Sequence, residues 1–157
     1  MNDLLTIVIP CKNERDNIYE CIGFIAKQVG FAGTKVIIAD TSDEADSLNF
    51  LQYTKDDYRY SLNIELIKGG FPAKARLEGS KLVTTPYILF LDADIMLLNK
   101  SLLGECLAYD ADLVTVPFQT EKGFNWIFRL FDIQQRMSNW LGTPFAIGGF
   151  QLWKTEA

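Results

Sequence analysis

Asp92 and Asp94 close the run Tyr87-Ile88-Leu89-Phe90-Leu91-Asp92-Ala93-Asp94-Ile95. An apolar, β-prone segment that ends in two carboxylates one residue apart puts anionic oxygens at the carboxyl end of a buried strand, where open α/β sheets bind their ligands. In an extended chain both carboxylates project to the same side. One divalent cation could sit between them and fill its other coordination positions with phosphate oxygens. The plainer alternative is an Asp pair that caps a loop or a helix. Two earlier apolar runs also end in polar residues that could contact a ligand: Ile7-Val8-Ile9-Pro10-Cys11-Lys12-Asn13-Glu14 and Ile37-Ile38-Ala39-Asp40-Thr41-Ser42-Asp43. Asp40 at a strand end could accept a nucleobase N–H or make an Asx turn. Lys74 and Arg76, in the glycine-flanked stretch Gly69-Gly70-Phe71-Pro72-Ala73-Lys74-Ala75-Arg76, could stabilise negative charge on a ligand or simply form a solvated helix face.

The elements that must hold these groups follow from five apolar, β-branched runs: Leu4 to Pro10, Thr34 to Asp40, Leu62 to Lys68, Pro86 to Asp92 and Ala111 to Pro117. They lack strict alternation, as strands buried on both faces do, and the segments between the first four are long enough for crossovers. This is a βαβ pattern and predicts an α/β fold. Asn13 is a candidate cap for a first helix carrying Ile18, Cys21, Ile22, Ile25 and Val29, with Gly30 to stop it. Thr41 and Glu44 suggest a capping box ahead of Ala45, Leu48 and Leu51. A third helix is expected over roughly Ala73 to Leu82 and a fourth over roughly Ser101 to Tyr109. Ala146 to Trp153 is expected to return as an antiparallel last strand, with Gly148 and Gly149 permitting close backbone approach.

Phe124 to Leu141 carries two apolar helical faces. Trp126, Leu130, Ile133, Met137, Trp140 and Leu141 form a stripe expected to pack on the sheet. Phe124, Ile127, Phe128 and Phe131 form a second face. That face is either clamped under a loop or is a surface for a lipid, an acceptor or another protein, including a second copy.

Composition narrows the classes. The chain has 157 residues, is 48% apolar and carries a formal net charge of −5. It is long enough for one compact domain that buries about 70% of its unfolded surface. The negative balance argues against a nucleic-acid partner, which needs a concentrated basic face. There is no histidine, which excludes Ser-His-Asp and Cys-His catalysis and imidazole-dependent zinc sites. Cys11, Cys21 and Cys106 show no C-x-x-C spacing and read as reduced thiols of a cytoplasmic protein. No uncharged apolar run reaches the roughly 18 residues of a spanning helix.

Together, the Pro10-Cys11-Lys12-Asn13-Glu14 strand end, Asp40, the Lys74-Ala75-Arg76 stretch and the Leu89-Phe90-Leu91-Asp92-Ala93-Asp94 strand resemble the family-2 glycosyltransferases of the GT-A fold. The resemblance extends over essentially the whole chain. It implies a Rossmann-like, mainly parallel sheet flanked by helices on both faces. It also implies one domain over residues 1–157, with the donor-binding part at about 1–98 and the start of the acceptor side at about 99–157. Carried over position by position, it implies that Pro10 and Glu14 line the base and ribose pocket and that Asp40 reads the nucleobase edge. Lys74, Arg76, Asp92 and Ala93 are then expected to border the nucleotide, with Asp94, assisted by Asp92, holding Mg²⁺ or Mn²⁺. Gly148 and Gly149 fall on the acceptor side. Two positions depart from the family pattern, Thr41 where a second acid is common and Leu77 where Asn is common.

The implied reaction is metal-assisted sugar transfer from a nucleotide-diphosphate donor, with inversion, to a glycan, lipid-linked or protein acceptor. The family's base falls in an acidic motif beyond the equivalent of Ala157, so the catalytic base is unknown; Asp112 or Glu121 is the internal alternative. A non-catalytic or truncated nucleotide-sugar-binding module is the competing reading. The protein is expected in the cytoplasm, either free or at the cytoplasmic face of a membrane through Phe124, Ile127, Phe128 and Phe131. A haloacid-dehalogenase-like phosphatase also begins its site with Asp-x-Asp, but Met96 stands where Thr or Val is usual there.

Overall fold

A computed structural model describes residues 3–43, 45–58, 61–119, 123, 125–141 and 149–156. Six strands form one sheet in the order β3-β2-β1-β4-β6-β5. The strands are β1 (Leu5–Cys11), β2 (Lys35–Asp40), β3 (Asn63–Lys68), β4 (Tyr87–Leu91), β5 (Leu113–Val114) and β6 (Phe150–Lys154). The first four run parallel, and β6 lies antiparallel to both β4 and β5. Because β1 to β4 point the same way, Cys11, Asp40, Lys68 and Leu91 end on one edge of the sheet.

Two helix layers cover it. On one face α1 (Arg15–Ala26), α2 (Ala45–Tyr58) and α4 (Leu102–Leu107) bury Ile18, Cys21, Ile22, Ile25, Leu51, Leu103 and Cys106 against Leu5, Ile7 and Ile9 of β1 and the alternate residues of β2 and β4. On the other face α3 (Pro72–Ser80) closes over Val8, Ile37 and Ile88, the smaller cluster. A full Ile or Leu side chain taken out of water contributes about 1.5–3 kcal/mol, so the central strand β1, buried except at Pro10, anchors both cores. Gly79 lets α3 approach: a Cβ there would meet Val8 Cγ1 at 2.4 Å. The crossovers β1-α1-β2 and β2-α2-β3 lie on one face and β3-α3-β4 on the other. Strand order therefore reverses between β1 and β4, the topological switch point where such sheets bind ligands.

Several expected boundaries change. Asn13 is not a cap: it turns the chain with φ 55°, a left-handed conformation that Asn tolerates well, and α1 starts after Glu14, which makes no side-chain cap bond. Helix α1 ends at Ala26, before Val29, which is exposed. There the buried Gln28 replaces further helix, donating to the carbonyls of Leu97 and Asn99 and accepting the amide of Leu103. The Thr41 hydroxyl donates to the Gly70 carbonyl at 2.7 Å; the capping box expected of Thr41 and Glu44 falls outside the described residues at Glu44. The expected fifth strand shrinks to two residues.

Helix α5 (Asn125–Trp140) reverses the expected packing. The stripe assigned to the sheet is the exposed one, with Trp126 61%, Leu130 56%, Ile133 52%, Met137 58%, Trp140 85% and Leu141 64% accessible. The buried side is Ile127, Phe128, Asp132, Gln135 and Ser138, each partly covered. Gln135 donates to Thr115 Oγ1 at 2.7 Å, and Phe128, Arg129 and Asp132 face Pro117, Phe118 and Gln119 across a shallow groove. The helix thus docks on the segment after β5 rather than on a strand face. Periodicity finds both faces, but a polar anchor such as Gln135 to Thr115 decides which one packs. Phe131 lies at the margin with 43% exposure, and Phe124 lies outside the described residues.

Candidate functional site

The parallel strands deliver their last residues to one crevice, and backbone bonds carry the ladder past the strand ends. Thr41 N–H donates to the Cys11 carbonyl at 2.8 Å and Gly69 N–H to the Asp40 carbonyl at 2.6 Å. Gly69 has to be glycine here, because a Cβ would lie 2.6 Å from the Ala39 carbonyl oxygen and 2.7 Å from Thr41 Oγ1. Asp40 is 9% exposed. Its Oδ1 accepts from the backbone N–H of Ser42 at 3.1 Å and from its hydroxyl at 2.6 Å, an Asx turn that fixes the carboxylate at the mouth. Ser42 Oγ also accepts the Asn13 N–H at 2.8 Å, tying the β1–α1 loop to the β2 loop. Ser42 was missed as a site residue, although Asp-x-Ser is a readable turn signal. Beneath it, burial and the nearby Asp40 carboxylate push the Cys11 thiol up to about 12. That proton stays on sulfur at neutral pH.

Pro10 and Glu14 both stand at the crevice and both are partly buried. Glu14 Oε2 accepts from Asn17 Nδ2 at 2.7 Å, and its carbonyl accepts the first helical N–H, from Ile18 at 2.8 Å. Lys74 is exposed, and its side chain lies across Gly70. Arg76 faces the other way, into the sheet edge, where its Nη2 pairs with Asp92 Oδ1. The structure therefore separates Lys74 from Arg76 and joins Arg76 to Asp92.

Asp92 and Asp94 do not continue the strand. The chain turns after Leu91, with Ile95 N–H donating to the Asp92 carbonyl at 3.1 Å, so the expected extended geometry is replaced by a tight turn at the strand terminus. Ala93 is buried under this turn and Asp94 is exposed. Burial raises the Asp92 carboxyl above its ordinary value, partly opposed by the Arg76 charge and hydrogen bond and reinforced by the neighbouring Asp94. Across the sheet, Asp92 N–H donates to the Gly149 carbonyl at 3.0 Å. Gly149 is buried beneath the Phe118 ring and Ile95, which a Cβ would meet at 3.0 and 3.4 Å. Through Phe118 the acidic turn is thereby linked to the segment that carries α5. Gly148 lies outside the described residues.

Among the described residues, no three His, Cys, Asp or Glu side chains converge into a cage for a metal. The donor set still suits a small hard cation. Such ions commonly take one or two carboxylates, keep waters and complete their shell with substrate phosphates, and Asp94 is an exposed carboxylate oxygen donor beside Asp92.

A mixed sheet with an antiparallel edge, whose strand order reverses beside a strand-terminal Asp-x-Asp, is the arrangement of the GT-A glycosyltransferases. The model of the family Glycosyl transferase family 2 matches residues 6–156, and the chain belongs to that family. A poly(ribitol-phosphate) beta-glucosyltransferase of Bacillus spizizenii is 31% identical over 101 residues, 63% of this chain and 16% of its own length. The structure of S. aureus TarS 1-349 in complex with UDP superposes with a TM-score of 0.64 at 23% identity, over 76% of this chain and 37% of that one. The Pyrobaculum calidifontis mannosyltransferase PcManGT, in complex with GDP-Man and Mn2+, superposes with a TM-score of 0.72 at 15% identity, over 97% of this chain and 44% of that one. The chain thus spans less than half the length of each of these relatives.

Proposed function

We propose that this chain binds a nucleotide-diphosphate sugar, a UDP-sugar before a GDP-sugar, as the donor part of a glycosyltransferase that moves the sugar to an acceptor hydroxyl with inversion. The observation that carries the reading is the Arg76–Asp92–Asp94 constellation at the end of β4, with Asp40 held at the end of β2. The preference for uridine rests on the 31%-identical glucosyltransferase and the UDP complex of TarS.

In this reading Asp40 accepts a base N–H with the oxygen not engaged by Ser42, and Pro10 and Glu14 border the base and ribose. Asp92, oriented by Arg76, faces the ribose or metal-bound waters, and Lys74 reaches the diphosphate from the rim. Asp94 would hold Mg²⁺ or Mn²⁺, which when bound neutralises the departing diphosphate. Activation of the acceptor hydroxyl needs a general base, for which no residue is assigned here. Residues 1–98 form the donor side and 99–157 the acceptor side. The three buried free thiols fit a reducing, cytoplasmic compartment.

The test is calorimetric titration of UDP and GDP with and without Mn²⁺ on the wild type and Asp94→Asn. Binding that needs Mn²⁺ and is lost by at least about tenfold in the variant is expected, since the bridging carboxylate is gone. Equal UDP affinity with and without Mn²⁺ in both proteins would refute the role of Asp94. Donor binding without hydrolysis or transfer would instead favour a pure binding module.

A further inference from the structure

The donor site does not use the exposed face of α5. Trp126, Leu130, Ile133, Met137 and Trp140 recur at alternating steps of four and three and form one continuous apolar stripe, with Leu141 at its margin. The helix is already anchored from its opposite side by the Gln135 hydrogen bond to Thr115, so this stripe is presented outward. Its 16 residues make a rod of about 24 Å, with an exposed tryptophan near each end. No helix among the described residues is long and apolar enough to cross a membrane.

The charges beside the stripe select its occupant. At 100° per residue, Arg129 and Arg136 lie side by side along one edge of the stripe, and Gln134 lies along the other. The helix's carboxylate, Asp132, sits further round towards the packed side, where it pairs with Arg136 at 3.0 Å. A second copy docking antiparallel would set one arginine row against the other, and a parallel copy would set arginines against Gln134 and Leu141. Neither gives a complementary charge. An anionic surface does, although the chain as a whole carries −5, so the cationic edge would also set the orientation.

We infer that α5 lies in the plane of a bilayer containing anionic lipid, with Trp126, Leu130, Ile133, Met137 and Trp140 in the acyl boundary and Arg129 and Arg136 at the phosphates. Apolar residues with tryptophans on one face and arginines along its border are the composition of interfacial helices. This inference is independent of the donor reading. It also moves the membrane contact from the Phe124, Ile127, Phe128 and Phe131 face to the opposite one.

The test is flotation of the 157-residue protein with phosphatidylcholine vesicles containing or lacking phosphatidylglycerol, together with quenching of tryptophan fluorescence by brominated lipid. Binding to the anionic vesicles and quenching of Trp126 and Trp140 are expected. Leu130→Glu with Met137→Glu should lower partition roughly tenfold or more, and Arg129→Gln roughly fivefold. Both sites are exposed, so thermal unfolding should be unchanged; Trp140→Ser, at an 85% exposed position, gives a second variant should the double one fold poorly. Absence of flotation, absence of quenching, or binding indifferent to all three variants would overturn the inference. So would a dimer in light scattering that the same substitutions abolish, which would assign the face to a second copy.

Discussion

Arg76→Met tests the centre of the site. Arg76 and Asp92 are 24% and 34% exposed, so the bond between them is partly screened. A hydrogen bond to a charged group contributes about 1.5–3 kcal/mol, and this exposure argues for the lower end. Losing the guanidinium should therefore raise the Asp92 carboxyl beyond its already raised wild-type position. The direction follows from the causes: burial is the dominant influence, Arg76 opposes it, and the variant removes only the opposition.

Because the folded-state pKa lies above the unfolded value of 3.8, this carboxyl's contribution to stability is fully present below 3.8. It is lost as pH rises through the folded value. Ligand binding runs the other way, since accepting hydrogen bonds from a ribose hydroxyl or a metal-bound water, the contacts assigned to Asp92, needs the anion. Carboxyl-carbon NMR titration of Asp92, together with Mn²⁺-dependent UDP titrations at pH 5 and pH 8, should show the higher midpoint in Arg76→Met and a larger affinity loss at the lower pH. An Asp92 midpoint in the variant at or below that of the wild type would refute the reasoning, whatever happens to binding.

Gly79→Ala and Gly104→Ala should shift stability in opposite directions in urea melts. The first sets a methyl group on Val8 at 2.4 Å and should lose about 1 kcal/mol net after its gain in helix propensity, whereas the second meets nothing within 4 Å and should gain about 0.4–1 kcal/mol. Gly149→Val presses on the Phe118 ring and Ile95, so it should cost about 1–3 kcal/mol and weaken Mn²⁺-dependent UDP binding by moving the Asp92–Ile95 turn. The buried thiols, with Cys11 raised to about 12 and Cys106 to about 11, should react with a disulfide reagent at pH 8 only after denaturation; prompt reaction in the native protein would contradict their burial.

The amino-acid sequence by itself determined the parallel strands, their order of appearance and the acidic strand ends. Continuous runs such as Leu5–Ile9 and Val36–Ala39 have no polar face to give to water, and a carboxylate that closes such a run must emerge at the sheet edge. It also determined the antiparallel return of Phe150–Lys154 and the burial of the three cysteines. Only the tertiary structure decided what depends on partners distant in the chain. It engaged Arg76 with Asp92 while leaving Lys74 on the rim, a choice set by where α3 crosses β1 at Gly79. It turned the Thr41 hydroxyl to the Gly70 carbonyl, where local capping chemistry suggested a helix start. It also chose which apolar face of α5 packs, because both faces satisfy the same helical period and the choice falls to the hydrogen bond of Gln135 to Thr115.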